Sequence, residues 1–187
     1  MLILMCTAFC SIAQAHTSEH ETTIASSHTI ETLVDQHGNA FSMELLEGKT
    51  VLLNFIFTQC PGPCPVQTVQ LQSLQDQLST TEKSSIQLLS ISVDPNNDTP
   101  ERLVEFARKR QVSFDNWSFV TGPAEKVDEL IASFGAEVSR AADSTLEHSL
   151  TLYLVGVDGE LWQSYSSLVI DRMLLDMRTA NRLGANL

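Results

Sequence analysis

Thr58-Gln59-Cys60-Pro61-Gly62-Pro63-Cys64-Pro65 is the stretch that decides the fold, because it joins two segments of different periodicity. Residues 51–57 before it read Val-Leu-Leu-Asn-Phe-Ile-Phe, an apolar run typical of a strand buried on both faces. Residues 66–78 after it carry apolar side chains at three- and four-residue steps, which indicates a helix. Two cysteines therefore lie where a buried strand leads into a helix. We expect the helix dipole to lower their pKa values and favour thiolate, which predicts a redox-active site, a metal site, or both.

The length and charge of the chain narrow the classes of function. The chain has 187 residues, of which 11 are basic and 23 acidic, so its formal net charge is −12. This length suits one domain with a substantial core, and we expect a monomer. Nucleic acids and anionic membranes reward clustered lysine and arginine, so the acidic balance argues against both as partners. The acidic net charge suits a cation or a positively charged partner. It is equally consistent with a surface that only keeps the protein soluble.

The N-terminus carries the features of an export signal. Residues 2–13 are largely apolar and Ala13-Gln14-Ala15 matches an A-x-A cleavage site, so residues 1–15 are predicted to be a signal peptide and the protein periplasmic. This apolar segment is shorter than the roughly 20 residues that a bilayer span needs. If it were not cleaved, it would leave the protein membrane-associated. Cleavage would remove Cys6 and Cys10 and leave one close cysteine pair in an oxidising compartment. A lone pair without a disulfide framework points to working cysteines.

Residues 16–28 are polar and aperiodic, which is typical of a flexible leader between an export signal and a fold. His16, His20 and His28 lie in this leader. They could bind a metal weakly, but a solvated tail is the simpler interpretation.

The rest of the chain, residues 29–187, alternates strand and helix patterns and is predicted to be one domain. It opens with a hairpin whose turn is at Gly38. The predicted strands are residues 29–34, 40–45, 51–57, 86–93, 117–120, 150–157 and 160–164, and the predicted helices are residues 66–78, 99–110, 123–134 and 171–183. This order predicts an α/β fold: a thioredoxin-like three-layer α/β/α sandwich with a mixed central sheet and an N-terminal hairpin.

The cysteines form a C-x-x-x-C pair, one residue wider than the C-x-x-C of a thioredoxin. The wider loop still permits a disulfide, but it also lets both sulfurs spread around one metal ion. In the thioredoxin layout, the segment before the third long inner strand ends beside this loop, and here that segment is Glu147-His148-Ser149. Cys60, Cys64 and His148 would form a soft three-coordinate set suited to Cu(I), or to Cu(II) with a weak fourth ligand, whereas a structural zinc site wants four ligands.

These features resemble the Sco/SenC family of copper-binding cytochrome oxidase assembly proteins. The resemblance covers residues 29–183 and rests on residues 57–65, on Ser92-Val93-Asp94-Pro95 with Asp98-Thr99-Pro100-Glu101, and on His148-Ser149. It implies that Cys60, Cys64 and His148 bind copper. It also implies that the protein helps to build the dinuclear copper centre of cytochrome c oxidase subunit II, or supplies another copper-accepting protein. The family is thought to donate copper, to reduce the target cysteines as a dithiol, or to do both.

The chain departs from the family pattern in three ways. Residues 141–146, which lead to the histidine, lack the aromatic residue that the resemblance leads us to expect. Glu147 stands where relatives usually have aspartate, and the N-terminal apolar segment is shorter than the membrane anchor that most relatives keep. Asp94 could lie next to the metal site, although capping of a turn is the simpler interpretation.

A different class of function remains open, namely a thiol–disulfide oxidoreductase in which one of Cys60 and Cys64 attacks a partner disulfide and the other resolves it. A peroxiredoxin would need an activating arginine, for which Arg102 is the obvious candidate. A binding or structural domain without chemistry is the remaining alternative. His148 separates the first two functions, because its loss should weaken copper binding and leave disulfide exchange largely intact.

Overall fold

The computed structural model describes residues 33–140 and 146–184. The predicted signal peptide at 1–15 and the leader at 16–28, with His16, His20 and His28, lie outside the described residues, as do residues 29–32 of the predicted domain. Within the described part, no helix has the length and apolarity that a membrane span requires.

Strands and helices alternate along the described residues. The strands are β1 (Leu33–Asp35), β2 (Ala40–Phe41), β3 (Thr50–Ile56), β4 (Ile86–Ser92), β5 (Trp117–Thr121), β6 (Val138–Arg140), β7 (Leu146–His148), β8 (Leu152–Val155) and β9 (Leu161–Tyr165). The helices are α1 (Pro63–Asp76), α2 (Thr80–Ser85), α3 (Pro100–Arg108), α4 (Ala124–Ser133) and α5 (Ile170–Gly184).

Seven strands form a mixed central sheet in the order β2-β1-β5-β4-β3-β8-β9. The inner strands β3, β4 and β5 are parallel, whereas β1 pairs antiparallel with β5, and β8 pairs antiparallel with β3. Strands β1 and β2 form the predicted N-terminal hairpin, in which Leu33 lies opposite Phe41. Strands β6 and β7 pair with each other in a separate two-stranded sheet.

The central strand β3 is buried along its whole length because helices cover both faces of the sheet. Leu53 and Phe55 point into one core cluster, which includes residues of α4, and Leu52 and Ile56 point into the other, which includes residues of α1, α3 and α5. This is the three-layer α/β/α arrangement with a mixed sheet that the sequence predicts.

Within the described residues, two predicted boundaries are wrong by more than two residues. The strand expected at 40–45 ends at Phe41, because Ser42 caps a 3-10 helix at Met43–Leu46 that buries its first and last residues. Helix α1 begins at Pro63 rather than at residue 66, since proline in the first turn loses no hydrogen bond there. Cys64 is therefore a helical residue.

Three short elements were not predicted. Helix α2 begins at a capping box formed by Ser79 and Glu82, a signal that is visible in the sequence. Strands β6 and β7 are only three residues each and have little periodicity from which to predict them. His148, expected directly before a long strand, is instead the last residue of β7, and β8 begins only at Leu152.

The topology brings two distant segments to one edge of the sheet. The parallel strands β3 and β4 end side by side at Ile56 and Ser92, so the loops that follow them are neighbours. Strand β8 runs antiparallel to β3 and starts opposite its last residues, with Leu152 facing Asn54. The segment that leads into β8 therefore meets the loop that leaves β3, which is where ligands bind in open α/β sheets.

An ion pair joins α2 to α5 and should make stability depend on pH. Arg178 Nε donates to Glu82 Oε1 at 2.6 Å, and this contact together with hydrogen bonding at Ser79 lowers the pKa of Glu82 to about 2. A carboxyl pKa below its unfolded value stabilises the fold above that value, and the contribution is lost as pH falls from about 4.5 towards 2. Both side chains are partly exposed, so the pair is expected to contribute only about 1 kcal/mol.

Glu82→Gln should therefore lower the free energy of unfolding at pH 7, and the difference from wild type should shrink as the pH is lowered to about 3. Urea unfolding followed by circular dichroism at several pH values measures this difference. Glu105→Gln is the control, because Glu105 pairs with Lys109 at an exposed position where little effect is expected. A difference that stays constant down to pH 3 would contradict the assignment.

Candidate metal centre

The structure brings Cys60, Cys64 and His148 together at the sheet edge. One ligand atom from each of the three lies within 4.8 Å of the others, and the three form a group that could hold a metal ion. Cys64 Sγ and His148 Nε2 are 2.9 Å apart, although the two residues are 84 positions apart in sequence. Two donors bonded to one metal at about 2.0–2.3 Å are separated by at most roughly 4.6 Å, which is close to the separations in this group.

The two cysteines have different surroundings. Cys64 lies in the first turn of α1 and is fully buried in the core cluster of β3, whereas Cys60 lies in the preceding loop and is partly exposed. A turn bonds Cys60 N–H to Phe57 O at 3.3 Å, and the tip of the loop, residues 61–63, is exposed. Both thiols are free in this structure. The buried sulfur is therefore fixed by the helix, and the other faces solvent.

The expected lowering of the cysteine pKa values is wrong for Cys64. Burial raises the pKa of the Cys64 thiol far above its usual range, and the neighbouring Cys60 raises it further. The helix N-terminus does favour thiolate, but a charge that is removed from water costs more than the dipole returns. Cys64 is therefore a thiol without metal. Binding of a metal would release its proton.

The orientation of His148 follows from its second ring nitrogen. Nδ1 lies 2.8 Å from Ser149 O, and a carbonyl can only accept, so Nδ1 carries the proton. Nε2 then presents a lone pair to Cys64 Sγ, which is the tautomer needed for a metal ligand. Burial lowers the pKa of His148, and an edge-to-face contact with Phe57 at 5.7 Å restrains the ring. The imidazole is therefore neutral, oriented and directed at the buried sulfur.

Gln67 connects the cysteine helix to the histidine segment. Its Nε2 donates to Leu150 O at 2.7 Å, two residues beyond His148, and its Oε1 accepts from Asn54 Nδ2 at 2.9 Å. Asn54 in turn accepts from Ser90, and Ser90 accepts from the indole of Trp117. All four side chains are buried, so each must find its partner inside the protein. This chain of hydrogen bonds fixes α1 relative to residues 148–150.

Asp98 fixes the other side of the cysteine loop. This fully buried carboxylate accepts from Thr58 N at 3.0 Å, from Thr58 Oγ1 at 2.5 Å and from Ser92 Oγ at 2.6 Å. Thr58 is two residues before Cys60, and Asp98 lies in the loop after the neighbouring parallel strand β4. A carboxylate that accepts several hydrogen bonds restrains all of its donors. The entrance to the cysteine loop is thereby tied to β4.

The sequence interpretation missed Gln67, Asn54 and Asp98 as positioning residues. Asn54 interrupts an apolar strand and Asp98 directly precedes the start of α3, so both carried a visible signal. Asp94, in contrast, accepts from Asn97 Nδ2 and caps its own turn, as the simpler interpretation proposed. Arg102 donates to Asn97 O at 2.6 Å. Burial lowers the pKa of Arg110, and a thiolate charge at Cys64 or Cys60 would act in the opposite direction.

A sequence profile of the SCO1/SenC family matches residues 8–177, and so spans both the cysteine loop and the histidine. The chain belongs to the SCO1/SenC family. The SCO1 protein homolog of Bacillus subtilis (strain 168) is 36% identical over 158 residues, which cover 81% of this chain and 81% of that protein. The predicted family is confirmed.

Two further similarities concern copper and fold. A protein of Stutzerimonas stutzeri, named as a candidate copper-binding protein, is 36% identical over 135 residues that cover 69% of this SCO1/SenC chain and 64% of that protein. A solved structure revealed a disulfide switch in BsSco, a member of the Sco family of cytochrome c oxidase assembly proteins. The sequence of BsSco is 35% identical to this chain, and the two structures superpose with a TM-score of 0.71. The match covers 81% of this chain and 91% of the BsSco chain. The thioredoxin-like fold predicted for this chain is confirmed.

Gln67→Leu should weaken metal binding as well as lower the stability of the fold. The substitution leaves Leu150 O and Asn54 Nδ2 without their partner, so the free energy of unfolding should fall by about 1–3 kcal/mol. Cu(I), used as the probe metal, should bind about tenfold more weakly, because a group that orients a ligand is lost. Urea unfolding and a competition titration with a Cu(I) chelator measure the two effects.

Gln75→Leu is the matched control, because Gln75 is also a buried glutamine of α1 but donates to Ser113 O and Asn116 Oδ1, away from the cysteines. It should lose similar stability and keep its Cu(I) affinity. Equal losses of affinity in both variants would show that Gln67 acts only through general stability.

Proposed function

We propose that the protein is a copper metallochaperone that holds copper through Cys60, Cys64 and His148 and delivers it to a copper-accepting protein. The proposed target is the dinuclear copper centre of cytochrome c oxidase subunit II during its assembly. The observation that carries the proposal is the 2.9 Å approach of His148 Nε2, in its ligating tautomer, to Cys64 Sγ beside a second free thiol. The imidazole adds a third donor to the two thiols, which disulfide exchange between cysteine pairs does not by itself require.

The donor set favours copper over other metals. Two thiolates and one imidazole suit Cu(I), whereas a structural zinc site is closed by four ligands. In the described part of the chain, the group that could hold a metal ion has three members. The names of two similar proteins support copper as the metal and assembly of cytochrome c oxidase as the process.

The different surroundings of the two cysteines suit delivery. Cys64 and His148 are held by buried hydrogen bonds and helix packing, while Cys60 lies in the exposed loop. An acceptor thiolate can therefore approach the metal from the Cys60 side and replace this ligand first. Transfer then proceeds by stepwise ligand exchange, and the two fixed ligands leave last.

The same pair of cysteines supports a second function, reduction of a target disulfide. The partly exposed Cys60 thiolate attacks one sulfur of the target, forms a mixed disulfide, and expels the other target sulfur as thiolate. The Cys64 thiolate, after its proton is lost, attacks Cys60 Sγ and releases the second target sulfur. The protein ends oxidised with a Cys60–Cys64 disulfide, and the target ends as a dithiol. Prior reduction of the acceptor by this route would prepare it for copper.

The proposed location is outside the cytoplasm. Residues 1–15 carry the pattern of an export signal, and an oxidising compartment suits a chain that would retain one cysteine pair. Mass spectrometry of the mature protein tests this location, because cleavage after Ala15 would leave His16 as its first residue.

His148→Ala tests copper binding against a purely redox function. The variant should bind Cu(I) at least about 100-fold more weakly, because it loses a ligand and not merely a group that orients one. Its rate of disulfide exchange with a small disulfide should remain close to that of wild type. A Cu(I) titration against a competing chelator, and stopped-flow exchange kinetics, measure the two properties.

His37→Ala is the control, because His37 is an exposed histidine that contacts Phe114 far from the cysteines. Its affinity for Cu(I) should equal that of wild type. Wild-type affinity no better than that of a simple dithiol, or unchanged affinity in His148→Ala, would favour the oxidoreductase.

A further inference from the structure

Basic residues are concentrated next to the cysteine loop. Four of the 11 lysines and arginines lie within residues 102–110, in a chain whose net charge is −12. Arg102, Lys109 and Arg110 line a cleft of about 380 Å³ whose opposite wall is Thr58 and Gln59. We name this the basic cleft. It opens directly before Cys60, the partly exposed cysteine.

The cations of the basic cleft are held in place. Arg110 Nη1 donates to Phe106 O at 2.6 Å, and its guanidinium carbon lies 3.7 Å from the centre of the Phe106 ring. Arg102 is fixed by its bond to Asn97 O. Glu105 is the acid among the cleft residues and pairs with Lys109, so three positive charges face one negative charge. Because the two arginines are restrained by these contacts, they lose less side-chain entropy on binding an anion than free side chains would.

An apolar groove continues from the basic cleft. Pro65, Val66 and Val69 of α1 line it together with Lys109 and Arg110, and its volume is about 390 Å³. Val66 is 60% exposed and Val69 is 48% exposed, although both are apolar residues of a helix that otherwise buries such side chains. Exposed apolar groups rimmed by charge are typical of a protein interaction surface.

The far side of the site has the opposite charge. Glu137 and Glu147 are exposed and line a cleft with His148. A partner that approaches Cys60 therefore meets positive charge on one side and negative charge on the other. Such an arrangement favours one orientation of the partner and disfavours the reverse.

We propose that the basic cleft and the adjoining apolar groove are the docking subsite for an acidic, partly apolar segment of the protein that exchanges copper or electrons with Cys60 and Cys64. The proposal deepens the proposed function and rests on it for the identity of the exchange. Charge complementarity selects the occupant: in a strongly acidic chain, a cationic recess beside the reactive loop attracts carboxylates. A carboxylate bound at Arg110 would hold the partner's sulfur ligands over the exposed cysteine.

The reaction with two small disulfides isolates this attraction. Dithiobis-nitrobenzoate carries two carboxylates, and dipyridyl disulfide is neutral. With either reagent the Cys60 thiolate attacks one sulfur, an aryl thiolate leaves, and Cys64 displaces the second aryl thiolate to form the protein disulfide. A change in thiol reactivity affects the rate constants of both reagents and therefore cancels in their ratio. The ratio of the rate constant for the anionic reagent to that for the neutral reagent thus reports the attraction of carboxylates.

The double variant Lys109→Gln/Arg110→Gln should lower this ratio about fivefold. Any change in thiol reactivity that follows from the lost positive charge affects both reagents and cancels in the ratio. Release of two aryl thiolates per protein in the neutral reaction shows that the site is intact. The control Lys49→Gln/Lys83→Gln makes the same change in net charge at the opposite edge of the sheet, before β3 and β4, and should leave the ratio unchanged. Arg110→Lys, which keeps the charge, should preserve most of the ratio. The wild-type ratio should fall at about 0.5 M salt.

The outcomes separate this proposal from the function on which it rests. The Cu(I) affinity of the double variant should match that of wild type, because no ligand is changed. If the wild-type protein itself failed to bind Cu(I), only the metallochaperone role would be overturned. An unchanged ratio, or an equal fall in the control, would overturn the docking subsite. Self-association of wild type that the double variant abolishes in sedimentation would also overturn it, because the occupant would then be a second copy of this chain.

Discussion

The contact between Cys64 Sγ and His148 Nε2 is the interaction on which the rest of the site depends. It joins the helix that follows β3 to the segment that enters β8, and the chain between these residues contains most of the fold. Neither residue could hold this position by itself. The position of the sulfur is set by the burial of α1, and that of the nitrogen by Ser149 O on its other side. The fold therefore determines the distance between the donors, and the polar contacts determine their orientation.

Buried polar groups give the site its precision because each has a specific partner. An apolar contact between α1 and residues 148–150 would tolerate sliding, whereas the amide of Gln67 bonds in one register only. The carboxylate of Asp98 does the same for the entrance to the cysteine loop. Cys60 lies outside both restraints. The site thus combines two donors that are fixed by buried contacts with one, Cys60, that is partly exposed.

Much of the fold and the donor set could be predicted from sequence because they depend on strong local patterns. The apolar run of β3, the period of α1 and the cysteines between them place the loop, and the thioredoxin layout places His148. The pKa of Cys64 could not be predicted, because it depends on burial that only the packed core reveals. The pair of strands β6 and β7 could not be predicted for a related reason: three-residue strands are stabilised by their surroundings and not by their own propensities.

The separate sheet of β6 and β7 has a further consequence for how the surroundings of such a site can vary. Strands β6 and β7 pair with each other in a sheet separate from the seven-stranded one, so the imidazole is carried by an appendage and the thiols by the main body. Substitutions at exposed positions of the appendage, such as Glu147, can alter the surroundings of the imidazole while the buried interior keeps its packing. The environment of the histidine can thereby change among proteins that share this fold, while the buried scaffold around the cysteines stays the same.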